Sequence, residues 1–127
     1  MAKHYLVDGT NLSRGADYDP RFPAMEALRA EELIGRVARL AERLGAGAEV
    51  EIIFDGPPRP VGDAGRARVS FSYEREADEL IQGKVRLARS RGAGIVVATE
   101  DGGLAGDVEA EGGRVIGRGE LWRLCSG

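Results

Sequence analysis

Ile95-Val96-Val97-Ala98-Thr99-Glu100-Asp101-Gly102-Gly103-Leu104 is the stretch on which the fold turns. Its first four residues are apolar without a break, as in a central strand buried on both faces of a parallel sheet. A hydroxyl, two acids and two glycines follow at once, so the strand runs into a polar, flexible loop. The arrangement recurs upstream. Tyr5-Leu6-Val7 runs into Asp8, and Val50-Glu51-Ile52-Ile53-Phe54 runs into Asp55. Val69-Ser70-Phe71-Ser72-Tyr73 precedes a helix start that holds Asp78. In a parallel α/β sheet the carboxyl ends of the strands share one edge, and ligands bind there. Acids from distant parts of the chain then gather in one place. Close carboxylates raise each other's pKa and oppose folding unless a cation neutralises them. Mg²⁺ takes oxygen ligands, often one or two carboxylates with water and substrate phosphate. The pattern points to a metal-dependent enzyme acting on phosphate esters.

Between these strands the spacing predicts helices. The first strand covers about Lys3–Val7, and the polar stretch Gly9–Pro23 reads as a loop. A long helix is expected over Ala24–Leu44, with Leu33, Val37, Leu40, Ala41 and Leu44 at helical spacing and Gly45 as its stop. The second strand, Val50–Phe54, ends at Asp55-Gly56-Pro57-Pro58, which cannot continue a sheet. After a Gly/Pro/Arg loop come a third strand near Val69–Tyr73 and a helix over Glu76–Ser90. The fourth strand is Ile95–Ala98, followed by a short helix over Leu104–Glu111. A fifth strand near Arg114–Ile116 and a last helical turn over Glu120–Leu124 complete the order. Strands separated by helices imply right-handed crossovers and a parallel sheet of about five strands in a three-layer α/β/α sandwich.

The length of 127 residues fits one domain, 1–127, with enough chain for a real core. No run resembles a membrane span, and Met1-Ala2-Lys3-His4 leads into a strand rather than a signal peptide. Cys125 is the single cysteine, which excludes a disulfide framework and makes the cytoplasm the simple expectation. His4 is the single histidine, which excludes a histidine-rich zinc site. The formal net charge of −3 argues against a generically basic nucleic-acid binder, although the acidic edge itself contributes to it. Basic residues are nearly all Arg. Genomic base composition explains that, and so does bidentate phosphate recognition. Gly56–Arg68 is locally basic, with Arg59, Arg66 and Arg68 against Asp63.

Each motif has a plain structural reading beside the chemical one. In Val7-Asp8-Gly9-Thr10-Asn11, Asp8 can ligate metal and Asn11 can hold Asp8 or a phosphate; the plain reading is an Asx-type turn. The acids of Glu76-Ala77-Asp78-Glu79 also suit a helix N-terminus as dipole partners. Thr99 and nearby amides can approach a phosphate, while Asp101 can equally cap the next helix. Asp55 either faces the site or caps the proline turn. Two familiar schemes fail. The haloacid dehalogenase signature needs a nucleophilic Asp where Leu6 stands. A receiver domain with Asp55 as phosphoacceptor needs a lysine after the last strand, and the only lysines are Lys3 and Lys84.

Taken in order, Leu6-Val7-Asp8-Gly9-Thr10-Asn11-Leu12, Phe54-Asp55-Gly56, Ala77-Asp78-Glu79-Leu80-Ile81 and Val97-Ala98-Thr99-Glu100-Asp101 resemble the NYN domain branch of the PIN-like ribonuclease superfamily. The resemblance is nearest to the bacterial YacP-like group and covers almost the whole chain. It implies a Mg²⁺- or Mn²⁺-dependent endoribonuclease that acts on RNA and associates with the ribosome. The family's acids match Asp8, Asp78 and Asp101 as catalytic and metal-holding residues, with Glu79 and Asp55 as further metal candidates. Asn11 matches the family's asparagine. Asn11, Thr99, Arg14, Arg59, Arg66 and Arg68 are the candidate substrate contacts. Glu100 departs from the pattern, standing where a small polar residue is usual. A chain this compact shows no appended RNA-binding module. The alternatives are a catalytically inactive RNA-binding or ribosome-associated module and a nuclease of structured DNA.

Overall fold

Strand β1 (Lys3–Asp8) lies at the centre of a five-stranded parallel sheet. It pairs with β2 (Ala48–Phe54) on one side and β4 (Gly94–Ala98) on the other, Val7 standing opposite Ile52 and Ala98. β3 (Arg68–Phe71) and β5 (Arg114–Ile116) form the edges, giving the order β3-β2-β1-β4-β5. The computed structural model describes residues 3–127, so Met1 and Ala2, read as the lead into the first strand, lie outside the described residues.

Alternation along each central strand fills two cores. Val7, Ile52, Phe54, Val96 and Ala98 point to one face, where Leu33, Ile34, Val37 and Leu40 of α2 (Pro23–Leu44) and Leu121 of α5 (Arg118–Ser126) cover them. Leu6, Ile53, Ile95 and Val97 point to the other, against Ile81 and Val85 of α3 (Ala77–Ser90) and Leu104 and Val108 of α4 (Gly102–Ala110). Both faces of the sheet are therefore covered, which is the three-layer α/β/α fold expected from the sequence. Helix α2 starts with Pro23 at its first turn and stops at Gly45, whose φ of 66° suits glycine.

One stretch differs from its sequence reading. Gly9–Ser13 forms a short helix, α1, inside the segment read as a loop. Gly and Thr are weak helix formers, so local propensity gives no signal. Tertiary contacts decide it: Leu12 is buried in the α2 core, and a Cβ on Gly9 would stand 2.7 Å from the Phe54 ring and 2.9 Å from Ile52 Cγ2. Only glycine lets the chain leave β1 this close to β2.

The chain builds β1, β2 and β3 outward in one direction, then crosses to β4 and β5 on the other side of β1. The order reverses between β1 and β4. In open α/β sheets the crevice outside the carboxyl ends at such a reversal is the usual binding place, and Asp8 and the Thr99–Asp101 turn stand at that point.

Candidate active site

A cleft of about 440 Å³ opens at the carboxyl edge, lined by Asp8, Thr10, Asn11, Arg14, Asp55, Arg75, Glu76, Ala77, Asp78 and Asp101. Four aspartates from four separate strand ends or helix starts thus share one concavity.

Asp8 is the deepest of them, 5% exposed. Thr99 Oγ1 donates to its Oδ2 at 2.8 Å. Burial pushes its carboxyl up from 3.8 to about 6; the Thr99 hydrogen bond opposes the rise, and the charges of Asp55 and Asp101 add to it. Asp78 stands in the first turn of α3, and its Oδ1 is buried without a hydrogen-bond partner. Glu76, beside it, has its carboxyl raised above the ordinary range, chiefly by the Asp78 charge and further by Asp55. Negative potential is therefore concentrated here.

Two of the aspartates also do structural work. Asp101 is the N-cap of α4, its Oδ1 accepting from the Gly103 and Leu104 amides at 2.9 and 3.2 Å. Asp55 Oδ1 accepts from the Ala77 amide at 2.7 Å, tying the end of β2 to the start of α3. In both, Oδ1 is spent on backbone N–H groups and the residue still lines the cleft.

The residues around the acids hold the edge together. Thr10 Oγ1 accepts from the Asp55 amide at 2.8 Å. Asn11 Oδ1 accepts from the Glu100 amide at 2.8 Å, which leaves its amide nitrogen as the end available to a ligand. Thr99 is 3% exposed and accepts from the Asp101 amide at 3.1 Å. Its hydroxyl orients Asp8 and lies beneath the cleft, so the expected contact of Thr99 with a phosphate gives way to a positioning role. Glu100 turns toward α5, where the Arg118 amide donates to its Oε1 at 3.3 Å. That pairing takes the extra charge of this chain away from the acids.

The basic residues divide. Arg14 lines the cleft, paired with Glu26 at 2.8 Å and stacked on the Tyr18 ring at 4.6 Å. Arg59 lies over the rings of Phe54 and Phe71 at 5.2 and 5.1 Å and donates to the Asp55 carbonyl at 3.2 Å, at the carboxyl ends of β2 and β3. Arg66 and Arg68 are elsewhere. Arg66 pairs with Glu42, and both arginines border a groove with His4 and Glu49 at the amino end of the sheet. The reason is the strand itself: Arg68 is the first residue of a parallel strand, so it faces away from the carboxyl edge. Glu79, expected as a metal candidate, pairs with Arg75 at 3.4 Å on the exposed side of α3 and does not line the cleft. Sequence reasoning passed over Arg75 and Thr10, and it read Glu76 only among the acids of the helix start and not as a site residue. Their signal was their place, one or two residues from Ala77-Asp78 and Asp8-Gly9.

The donor set suits a divalent cation in part. A buried, unpartnered carboxylate oxygen on Asp78 and an acid raised to about 6 on Asp8 are what a cation would relieve. Among the described residues no three His, Cys, Asp or Glu side chains come close enough to hold an ion directly. The fit is therefore to a hard cation gripped by one or two carboxylates, with water completing the shell.

No protein-family model matches the chain, and no curated protein matches it either. Among solved structures it is similar to Rae1 (YacP) from Bacillus subtilis. A single-residue variant of that protein superposes with a TM-score of 0.72 at 24% identity, covering 97% of this chain and 74% of that one. A second structure of Rae1 gives a TM-score of 0.69 at 27% identity over 96% and 72%. The fold is shared over nearly the whole chain, which supports a YacP-like relationship. Among the described residues no helix is long and apolar enough to cross a membrane.

Proposed function

We propose that the chain is a metal-dependent endoribonuclease that hydrolyses RNA phosphodiester bonds at the acidic cleft. The observation that carries the reading is the convergence of Asp8, Asp55, Asp78 and Asp101 on one concavity at the switch point of the sheet. The YacP-like fold supports it. A Mg²⁺ or Mn²⁺ gripped directly by one or two of Asp8, Asp78 and Asp101, with the remaining acids and Asp55 reaching it through water, would supply positive charge to the phosphoryl oxygens and lower the pKa of a bound water.

The chain's own residues do the rest. Thr99 fixes the Asp8 carboxylate so that one orientation is presented. Thr10 and Asp55 lock β2 to α1 and α3, so the acids keep their spacing. The Asn11 amide and the Arg14 guanidinium face the cleft as hydrogen-bond donors for a non-bridging phosphate oxygen. Arg75 adds a cation on the opposite, α3 side. Products with 5′-phosphate and 3′-hydroxyl ends follow from the resemblance, and the ribosome is the platform it implies for presenting the RNA.

The second reading is a YacP-like module that binds RNA without cutting it. Asp55 and Asp101 favour it, because each spends an oxygen on a helix cap. One experiment separates the two. End-labelled RNA and a matched DNA are incubated with the protein and with the double variant Asp8→Asn/Asp101→Asn, in Mn²⁺, Mg²⁺ or EDTA. Metal-dependent scission of the RNA, lost in the folded double variant, supports the nuclease. RNA retention with no scission supports the binding module, and preferential cutting of DNA moves the substrate class.

A further inference from the structure

Tyr73 sits where a tyrosine is unfavourable. Its φ is 60°, in the left-handed region, and it is the one non-glycine residue with positive φ among the described residues. Bulky side chains avoid that conformation, and Gly or Asn adopts it readily. The fold gives nothing back for the ring, which is 65% exposed. Among the described residues no second ring and no cation stacks on it.

The backbone beneath it is held firmly. The Tyr73 amide donates to the Gly56 carbonyl at 2.7 Å, and the Arg75 amide closes a turn onto the Ser72 carbonyl at 3.1 Å. Ser72 is buried and its Oγ accepts from the Gly56 amide at 3.1 Å. Tyr73 thus stands at the corner of a pinned turn. One backbone hydrogen bond joins it to Gly56, the residue after Asp55, and Glu74 alone separates it from Arg75; Asp55 and Arg75 line the cleft. The same rim carries Arg59, fixed over Phe54 and Phe71.

We propose that Tyr73 is a stacking platform for an unpaired nucleobase next to the phosphate in the cleft, with Arg75 and Arg59 flanking it as backbone contacts. An exposed ring two positions from a cleft-lining arginine, at the rim of a cleft read as taking phosphate, matches the way single-stranded nucleic acid is held, base on ring and phosphate on cation. It assigns the substrate as single-stranded at this rim, because a base within a duplex has no free face to offer. The assignment rests on the RNA reading of the cleft.

The test uses the Asp101→Asn background, so that binding is read without cutting; asparagine keeps the cap of α4. Affinity is measured for a short fluorescein-labelled oligoadenylate and for an abasic oligomer with the same ribose-phosphate backbone. Tyr73→Gly is expected to weaken oligoadenylate binding roughly tenfold, to leave the abasic affinity and the salt slope unchanged, and to melt no lower than its parent. Tyr73→Phe is expected to retain the affinity. Equal oligoadenylate affinity in Tyr73→Gly and its parent, while the unaltered protein still cuts RNA with metal, overturns the platform alone. An equal loss on the abasic oligomer also overturns it, since the ring would then be acting through the backbone. If the unaltered protein neither binds nor cuts RNA, the platform and the nuclease reading fall together.

Discussion

Asp8 is stable in this fold only at a cost. Its carboxyl stands at about 6 against an ordinary 3.8, raised first by burial and then by Asp55 and Asp101. Between those two values the folded chain keeps a proton that the unfolded chain has lost. The stability tied to that proton is full below the lower value and is lost as pH rises through the upper one. A shift of about two units corresponds to roughly 3 kcal/mol at most. Urea denaturation in EDTA on either side of this window is expected to show Asp8→Asn gaining stability over the unaltered protein as pH rises, with the gain complete above about pH 6. Mn²⁺ at about a hundredfold excess over its Kd should return about 2.7 kcal/mol to the unaltered protein and little to Asp8→Asn, read as a shift in melting temperature. Gly9 makes a separate demand. Its missing Cβ leaves room for the Phe54 ring and Ile52, so Gly9→Ala is expected to cost about 1–3 kcal/mol through overpacking, measured by thermal melting. A Gly9→Ala protein as stable as its parent would mean that α1 can shift without loss.

Among the elements, α3 and α1 decide the site. The first amide of α3 is satisfied by Asp55, a residue 22 positions upstream, where most helices use a neighbour. Asp55→Ala is expected to cost about 1 kcal/mol by removing that cap; Asp55→Asn should keep most of the stability, and urea denaturation distinguishes them. The carboxylate edge was legible in sequence because Asp8, Asp55 and Asp101 close or closely follow apolar runs and Asp78 opens the helix after the third strand. α1 was not, because its helicity comes from Leu12 and from the Gly9 approach rather than from its own propensity. The direction of the arginines was not legible either, since strand polarity fixes it. Arg68 opens β3 and so faces the amino end, while Arg75 follows the same strand and lines the cleft. Charge reversal of Arg66 and Arg68 is accordingly expected to leave the salt dependence of RNA binding unchanged, whereas Arg14→Ala and Arg75→Ala each lower the slope by about one. A reduced slope in the Arg66/Arg68 variant would bring the amino-end groove into the binding surface.

At the scale of the whole molecule, the strand order reverses between β1 and β4 and the two cores lie on opposite faces. The continuous apolar run Ile95–Ala98 announced a strand covered on both sides, and Leu6-Val7 and Ile52-Ile53 show the same division residue by residue. The depth of the cleft was not in the sequence. It arises because α1 and α3 begin on opposite sides of β1 and leave a gap between them that the acids line. The Asp78 oxygen left without a partner inside that gap is its most direct claim to a cation. Cleavage of end-labelled RNA by the unaltered protein and by Asp78→Asn, side by side in Mn²⁺, Mg²⁺ and EDTA, is the decisive measurement. The expected result is scission by the unaltered protein that needs metal and disappears in a folded Asp78→Asn. Scission that survives in Asp78→Asn, or that proceeds in EDTA, would contradict the acidic cleft as the place where RNA is cut.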